Sequence, residues 1–502
     1  MKKLSLLLFL LCCPPLLAQG LIYGTYLGGS ETDIAHGIVV DNLGDMYVAG
    51  LTTSSNFPVL NAFQPSLAGQ ANAFVSKFNS NGTLAWSTFL GGSQSDKASA
   101  VAQDQRQNLY VVGTTNSTNF PVTPHVVQTT LMGPYTNAFV AKFSPFGKLI
   151  WSTYLGGSNT EGNSIAIDPV GNVWVAGATG GPGGEDGFVT ELNSTGTAII
   201  FTKTIGGSGI DEIQSIAVLN EEAYVAGYTN STDFPVTPGA LQTTCGPSCS
   251  NYYNGFVAEL GANGVAYATY LGGTKGVPGL HAPPSMGTAA LNLAIGIAVD
   301  ASGDAYVTGT TNTSDFPATK GAFQIKYGGT TDLPGGVAGC IDFISGQFPC
   351  GDAYVVKLNP TGTAIDWATY LGGSTADIGY SIKLDSKNDV WVGGYTQSWA
   401  CETKQCKPMH IPFPTTANAF QSVKGGGLDS FLTEVAPNGS SLVYSTYYGG
   451  SNDEEAFGLA IDLQGDGYLT GRTISVDTPV SATAYQKSLA GAVNAFIAKI
   501  LP

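Results

Sequence analysis

Short apolar runs broken by Gly, Asp and Asn recur along this chain from residue 21 to its end, in a fixed order. A Gly-Gly anchor opens each round. It occurs at Leu27-Gly-Gly-Ser30, Leu90-Gly-Gly-Ser93, Leu155-Gly-Gly-Ser158, Ile205-Gly-Gly-Ser208, Leu271-Gly-Gly-Thr274, Leu371-Gly-Gly-Ser374 and Tyr448-Gly-Gly-Ser451. A small apolar run follows, such as GIVVD from Gly37 or GIAVD from Gly296. Next comes a turn like Asp41 to Asp45, where Asp can bond the turn backbone and Gly supplies a positive φ. A YVAG-like run (Tyr47 to Gly50), an AFVAK-like run (Ala73 to Lys77) and a WSTYLGG-like run (Trp151 to Gly157) complete the round. These are the lengths and residue types of β-strands.

Four strands per round and seven rounds predict an all-β, seven-bladed β-propeller of four-stranded antiparallel blades. The chain ends after a seventh AFVAK-like run, Ala495 to Ile500, which leaves that blade one strand short. The segment Leu21 to Gly29 is a spare copy of the missing strand. Pairing the two closes the ring and removes its open edges.

Together with the Phe-Pro segments between the second and third strands (Phe57-Pro58, Phe120-Pro121, Phe234-Pro235, Phe316-Pro317, Phe413-Pro414), these motifs resemble the bacterial SBBP β-propeller repeat family. The resemblance covers nearly the whole of residues 21–502. It implies an exported seven-bladed propeller, often on surface proteins, and carries no catalytic residues to transfer. Blade three lacks the Phe-Pro segment, blade four has Asn220-Glu221-Glu222 for its Asp-Gly turn, and blade five has an insertion from Thr274 to about Leu293.

Composition adds an address. Lys2 and Lys3 precede an apolar run, Leu4 to Leu11, too short to span a bilayer, and Ala18-Gln19-Gly20 offers small residues for cleavage. Residues 1–20 therefore read as a signal peptide. The expected product is secreted: extracellular, at the cell surface or in the periplasm, with no membrane span. Cys12 and Cys13 follow residues too bulky for a good lipoprotein signal. A net charge of −16 disfavours nucleic acid as a partner. The remaining cysteines form three local pairs, Cys245 with Cys249, Cys340 with Cys350 and Cys401 with Cys406. In an exported chain this favours disulfides; zinc is the alternative, with only His410 near a cysteine pair.

Turns one-to-two and three-to-four share the bottom face and are short. The long segments Thr229 to Asn254, Thr274 to Leu293, Thr310 to Asp352 and Thr396 to Asp429 share the top, as do the cysteine pairs. An acid also recurs three residues after the anchor Ser: Asp33, Asp96, Glu161, Asp211, Asp377 and Glu454, with blade five the exception. These six are the candidate ligand-binding residues, placed near the channel mouth. Carboxylates there can gather Ca²⁺, or each can brace its own loop by accepting backbone N–H bonds.

Catalytic signatures are absent. His36, His125, His281 and His410 fall in different blades without metal spacing, and there is no nucleophile elbow, phosphate loop or dinucleotide fingerprint. Trp86, Trp151 and Trp367 read as interblade packing. The expectation is a monomeric, cofactor-free, non-catalytic module that binds a glycan or protein on its top face. The alternatives are a hydrolase or lyase using channel-mouth carboxylates, such as Asp33 with Asp211, and a purely structural surface component.

Overall fold

The computed structural model describes residues 20–181, 184–246, 249, 252–276, 290–329, 351–399 and 411–502. Seven four-stranded antiparallel sheets are present among them, each in sequential order from the axis outward except the last. Blade one is Asp33–Val40, Met46–Thr52, Asn72–Phe78 and Leu84–Leu90. The other blades repeat it. The seven first strands pack against one another in a closed circle, so they form the inner wall.

The ring closes with strands from both ends of the chain. Gly20–Leu27 pairs antiparallel with Asn494–Leu501, from Leu21 opposite Ile500 to Leu27 opposite Ala495. It thereby becomes the outer strand of blade seven, as the repeat count predicts. The sheet faces between blades are filled by alternating apolar residues. Ala35, Ile38, Val48 and Phe74 of blade one meet Leu27, Tyr468 and Ile497 of blade seven. Outer-strand aromatics also tie neighbouring blades: Trp86 Nε1 donates to Pro145 O at 3.0 Å, Trp367 Nε1 to Pro437 O at 2.9 Å, and Tyr23 OH to Gly82 O at 2.9 Å.

Each inner strand carries a β-bulge at the same place, between Ala35 and Gly37 in blade one and between Ala456 and Gly458 in blade seven. The bulge presses the inner strand onto the second. A Cβ added to Gly50 would lie 1.9 Å from Ile34 O, and one added to Gly177 would lie 1.9 Å from Glu161 O. The last residue of each YVAG-like run is therefore Gly because no side chain fits there.

In six blades the long loop between strands two and three folds back along the outer strand. Leu60 N donates to Ser87 O and Phe89 N to Gln64 O in blade one. Phe57 is driven under this loop, 4.5 Å from the Phe74 ring. Blade three, without the Phe-Pro segment, has no such cover, and its outer strand Ile199–Ile205 is largely exposed. Cys245 and Cys249 form a disulfide with a Cα separation of 5.6 Å. The other two expected pairs, the signal segment, His281, His410 and most of the blade-five insertion lie outside the described residues.

Candidate functional site: the central channel

The acids after the anchor Ser begin the inner strands, where a new blade starts. Asp33 is fully buried and accepts from Gly29 N at 2.7 Å, Thr52 Oγ1 at 2.5 Å and Ser54 Oγ at 3.0 Å. Asn494, opening the third strand of the preceding blade, adds its amide at 3.3 Å. Asp96 repeats this with Gly92 N at 2.7 Å, Ser117 Oγ at 3.0 Å, Asn72 Nδ2 at 3.1 Å and Thr115. Asp377 accepts from Gly373 N at 2.8 Å, Thr396 at 2.5 Å and Ser398 at 3.0 Å. Glu454 accepts from Gly450 N and Thr473, and Asp211 from Gly207 N at 2.8 Å and Ser231 at 2.6 Å. Each carboxylate braces its own Gly-Gly turn and faces blade interior rather than channel.

Glu161 stands elsewhere. The turn after Leu155 is one residue shorter, so Thr160, opposite Thr179, takes the position that Asp33 holds opposite Thr52. Glu161 moves to the next position and is half-buried. In blade five the position is filled by Asn292. Its Oδ1 accepts from Gly273 N at 3.1 Å and Thr311 at 2.7 Å, and its amide donates to Asn254.

At three junctions the partner from the preceding blade is also an acid. Asp186, Asp352 and Asp429 occupy the place of Asn72 and Asn494, facing Asp211, Asp377 and Glu454. Burial pushes the Asp429 carboxyl up to about 6. Burial and mutual repulsion hold both Asp352 and Asp377 well above the usual carboxylate range.

The channel itself is lined by the bulge residues. A cavity of about 380 Å³ is bounded by His36, Ser99, Asn163, Gln214, Ile295, Tyr380 and Phe457, one from each blade. Bulges aim an extra side chain out of a ladder, and here seven of them aim at the axis. The ring is two-sided: blades one to four supply polar residues, and blades five to seven supply apolar ones. On the apolar side Phe457 lies 5.1 Å from Tyr380 and 5.8 Å from His36, ring to ring. On the polar side Asn163 and Gln214 donate to Glu212 at 2.8 and 2.7 Å, and Tyr228 donates to its other oxygen. Burial raises the Glu212 carboxyl above its ordinary value, against the pull of these donors.

Among the described residues, His36 Nδ1 and Ser99 Oγ, which face this ring, have no hydrogen-bond partner. Burial, with the Lys97 ammonium nearby, pushes the His36 imidazole down to about 3, so it is neutral at physiological pH. The bulge residues therefore offer an aromatic face, a neutral imidazole, a hydroxyl and two side-chain amides, and Lys97, Lys383 and Arg472 also line the cavity. From sequence only His36 stands out, as one of four scattered histidines, and the ring as a whole does not, because at the bulge position no residue type repeats. The bulge could have been found from the glycine that closes every YVAG-like run.

A model of the SBBP β-propeller repeat matches residues 22–58, 85–121, 150–184 and 287–317. Among curated proteins, the uncharacterised WD repeat-containing protein L264 of Acanthamoeba polyphaga mimivirus is 23% identical over 480 residues. That match covers 80% of this chain and 33% of the other, so the chain spans about a third of that relative's length. Among solved structures, the WD40 β-propeller domain of Doa1 aligns with 8% identity and a TM-score of 0.45, covering 96% of this chain and 97% of the other. Chaetomium thermophilum Sqt1 aligns with 11% identity and a TM-score of 0.42, covering 95% and 97%.

Proposed function

The chain belongs to the SBBP β-propeller repeat family, and from that premise we propose that it is a non-catalytic binding module taking a neutral glycan in its central channel. The observation that carries the reading is the two-sided ring of bulge residues. A sugar presents an apolar C–H face and a rim of hydroxyls. Phe457 and Tyr380 suit the first; Ser99, Asn163, Gln214 and neutral His36 suit the second. The basic and apolar stretch Lys2 to Leu11 supports export to the extracellular space, cell surface or periplasm, and the Cys245–Cys249 disulfide agrees with it. Hydrolysis by channel-mouth carboxylates is less favoured, since Asp33 and Asp211 are taken up by turn amides and hydroxyls.

The test is a neutral-glycan panel read by thermal shift and titration calorimetry, on the wild type and on Phe457→Ala and Ser99→Val. A binder should raise the melting temperature, and Phe457→Ala should weaken it at least tenfold. A panel without binders, or binding indifferent to both substitutions, overturns the reading.

One observation favours a protein partner as a second ligand. The outer strand Ile199–Ile205 leaves its edge bare where six sister blades are covered, and such an edge can accept an added strand. Ile200→Glu should abolish capture of a strand-adding partner while leaving the channel unchanged.

A further inference from the structure

The bottom turns hold a second pattern, and blade six breaks it. In blades one, two, five and seven the lysine closing the AFVAK-like run lies over the Asp-rich turn. Lys77 Nζ is 2.9 Å from Asp45, and Lys142 Nζ is 3.4 Å from Asp104. Lys357 Nζ is 2.8 Å from Asp304 and 3.7 Å from Asp300. Lys499 sits between Asp462 at 3.0 Å and Asp466 at 2.9 Å. Each of these ammonium groups also rests over a tyrosine ring, at 4.6 to 5.1 Å. Blades one, five and seven thus set two turn carboxylates against one cation, and blade two sets Asp104 against one, with Asn108 in the second place.

Blade six keeps both acids, Asp385 and Asp389, but puts Glu434 where the lysine belongs. The register leaves no doubt: Glu434 lies opposite Trp391, as Lys499 lies opposite Tyr468. One oxygen from each of the three carboxylates falls within 4.8 Å of the others. Glu434 is only 6% exposed, and its carboxylate has no hydrogen-bond or ion-pair partner among the described residues. Asp389 is 8% exposed. Lys387, exposed on the same turn, forms no ion pair with any of the three among the described residues. Blade three shows what compensation looks like. It too has a glutamate there, Glu191, but its turn offers Asn172, whose amide donates to Glu191 at 2.7 Å. Blade four sets Glu222 and Glu259 at the corresponding positions, both half-buried and without the two turn aspartates. Blade five also brings a third acid, Asp366 at 3.9 Å, but its three acids surround the Lys357 ammonium; among the described residues blade six gathers three acids with no lysine at the centre.

Lys387 lies near enough for its charge to favour the ionised Asp389 and Glu434, but it takes no place among the three carboxylates. Gathering two buried acids and a half-buried one with no cation between them is costly, and a bound cation removes the cost. We propose that Asp385, Asp389 and Glu434 hold a hard divalent cation, Ca²⁺, at the point where the sister blades hold a lysine ammonium. An all-oxygen donor set suits Ca²⁺, and the half-exposed side of Asp385 leaves room for water to complete six to eight ligands. This site lies on the face opposite the top loops and is independent of the channel.

The experiment is calcium titration of the chelator-treated full chain by calorimetry and thermal unfolding, with MgCl₂ and NaCl as controls. The wild type should bind one Ca²⁺ saturably and melt higher with it, and Glu434→Gln should weaken binding at least tenfold. Glu434→Lys restores the sister-blade arrangement. It should melt above the calcium-free wild type and no longer respond to calcium. If the wild type shows neither heat nor melting shift with Ca²⁺, or if Glu434→Lys keeps the full response, the proposal is overturned. A wild type answering equally to NaCl also overturns it, since mere charge screening then accounts for the effect.

Discussion

At the residue scale, the acids of the Gly-Gly turn show how a repeat tolerates chemical change. Asn292 does in blade five what Asp33 does in blade one, through one amide oxygen. Asp33→Asn should therefore cost on the order of 1 kcal/mol in urea unfolding, and Asp33→Asn with Asp96→Asn should add, because their donors differ. A cost several times larger would mean that the charge itself matters. Asp352 poses the reverse case. Most sister blades have Asn there; Asp352 faces Asp377 instead, with Oδ1 unpartnered, near Tyr327 and, on the Asp377 side, Lys424. A carboxyl raised in the folded state favours folding below the ordinary carboxylate range. That contribution is lost as pH rises through the elevated value. Asp352→Asn should thus match the wild type near pH 4 and exceed it by about 1–2 kcal/mol at pH 8. His36 works in the opposite direction, its neutral folded form losing ground as pH falls below the ordinary imidazole range. It is common to both proteins and cancels in the difference. An equal stability gap at both pH values would contradict the raised Asp352 carboxyl as the source of the difference.

At the scale of elements, the bulge and the glycine are one device. The extra residue turns a side chain toward the axis, and the strand then presses its carbonyl onto the neighbour, where only hydrogen fits. Gly177→Ala should cost about 2–3 kcal/mol by overpacking and disturb the channel through Glu161 and Asn163. Gly264→Ala places its Cβ in open space but at a φ of +122°, so it should cost through backbone strain alone. Thermal unfolding of both variants, with ligand binding by the Gly177→Ala protein, separates the two costs. Unchanged ligand affinity in Gly177→Ala would show that the bulge does not set the channel wall.

At the scale of the molecule, closure joins residues more than 460 apart in sequence. Gly20–Leu27 supplies the outer strand of blade seven, and Gln486 reaches across to Gly28 N at 3.0 Å. Deleting Gly20 to Gly29 should uncover the third strand of blade seven along its whole length, with loss of several kcal/mol and concentration-dependent association in light scattering. A truncated protein that stays monomeric with the wild-type melting temperature would show that the ring does not depend on this strand.

The repeat, its seven-fold count and its closing strand were legible in the chain, because anchors, turns and strands recur at fixed spacing and local hydrogen bonding requires them to. So was the packing role of Trp86, Trp151 and Trp367, whose indole N–H groups each reach a turn of the next blade. The channel ring was not legible. His36, Ser99, Asn163, Gln214, Ile295, Tyr380 and Phe457 share a position but no residue type, and only a register shift of one residue in each inner strand turns them to the axis. Nor could spacing from the anchor separate Glu161 from Asp33, since a turn one residue shorter exchanges the faces of a strand. Sequence determined what repeats, through short-range turn and strand chemistry. Tertiary structure decided which departures from the repeat meet, because the channel wall and the blade-six acids are assembled by strand pairing and ring closure.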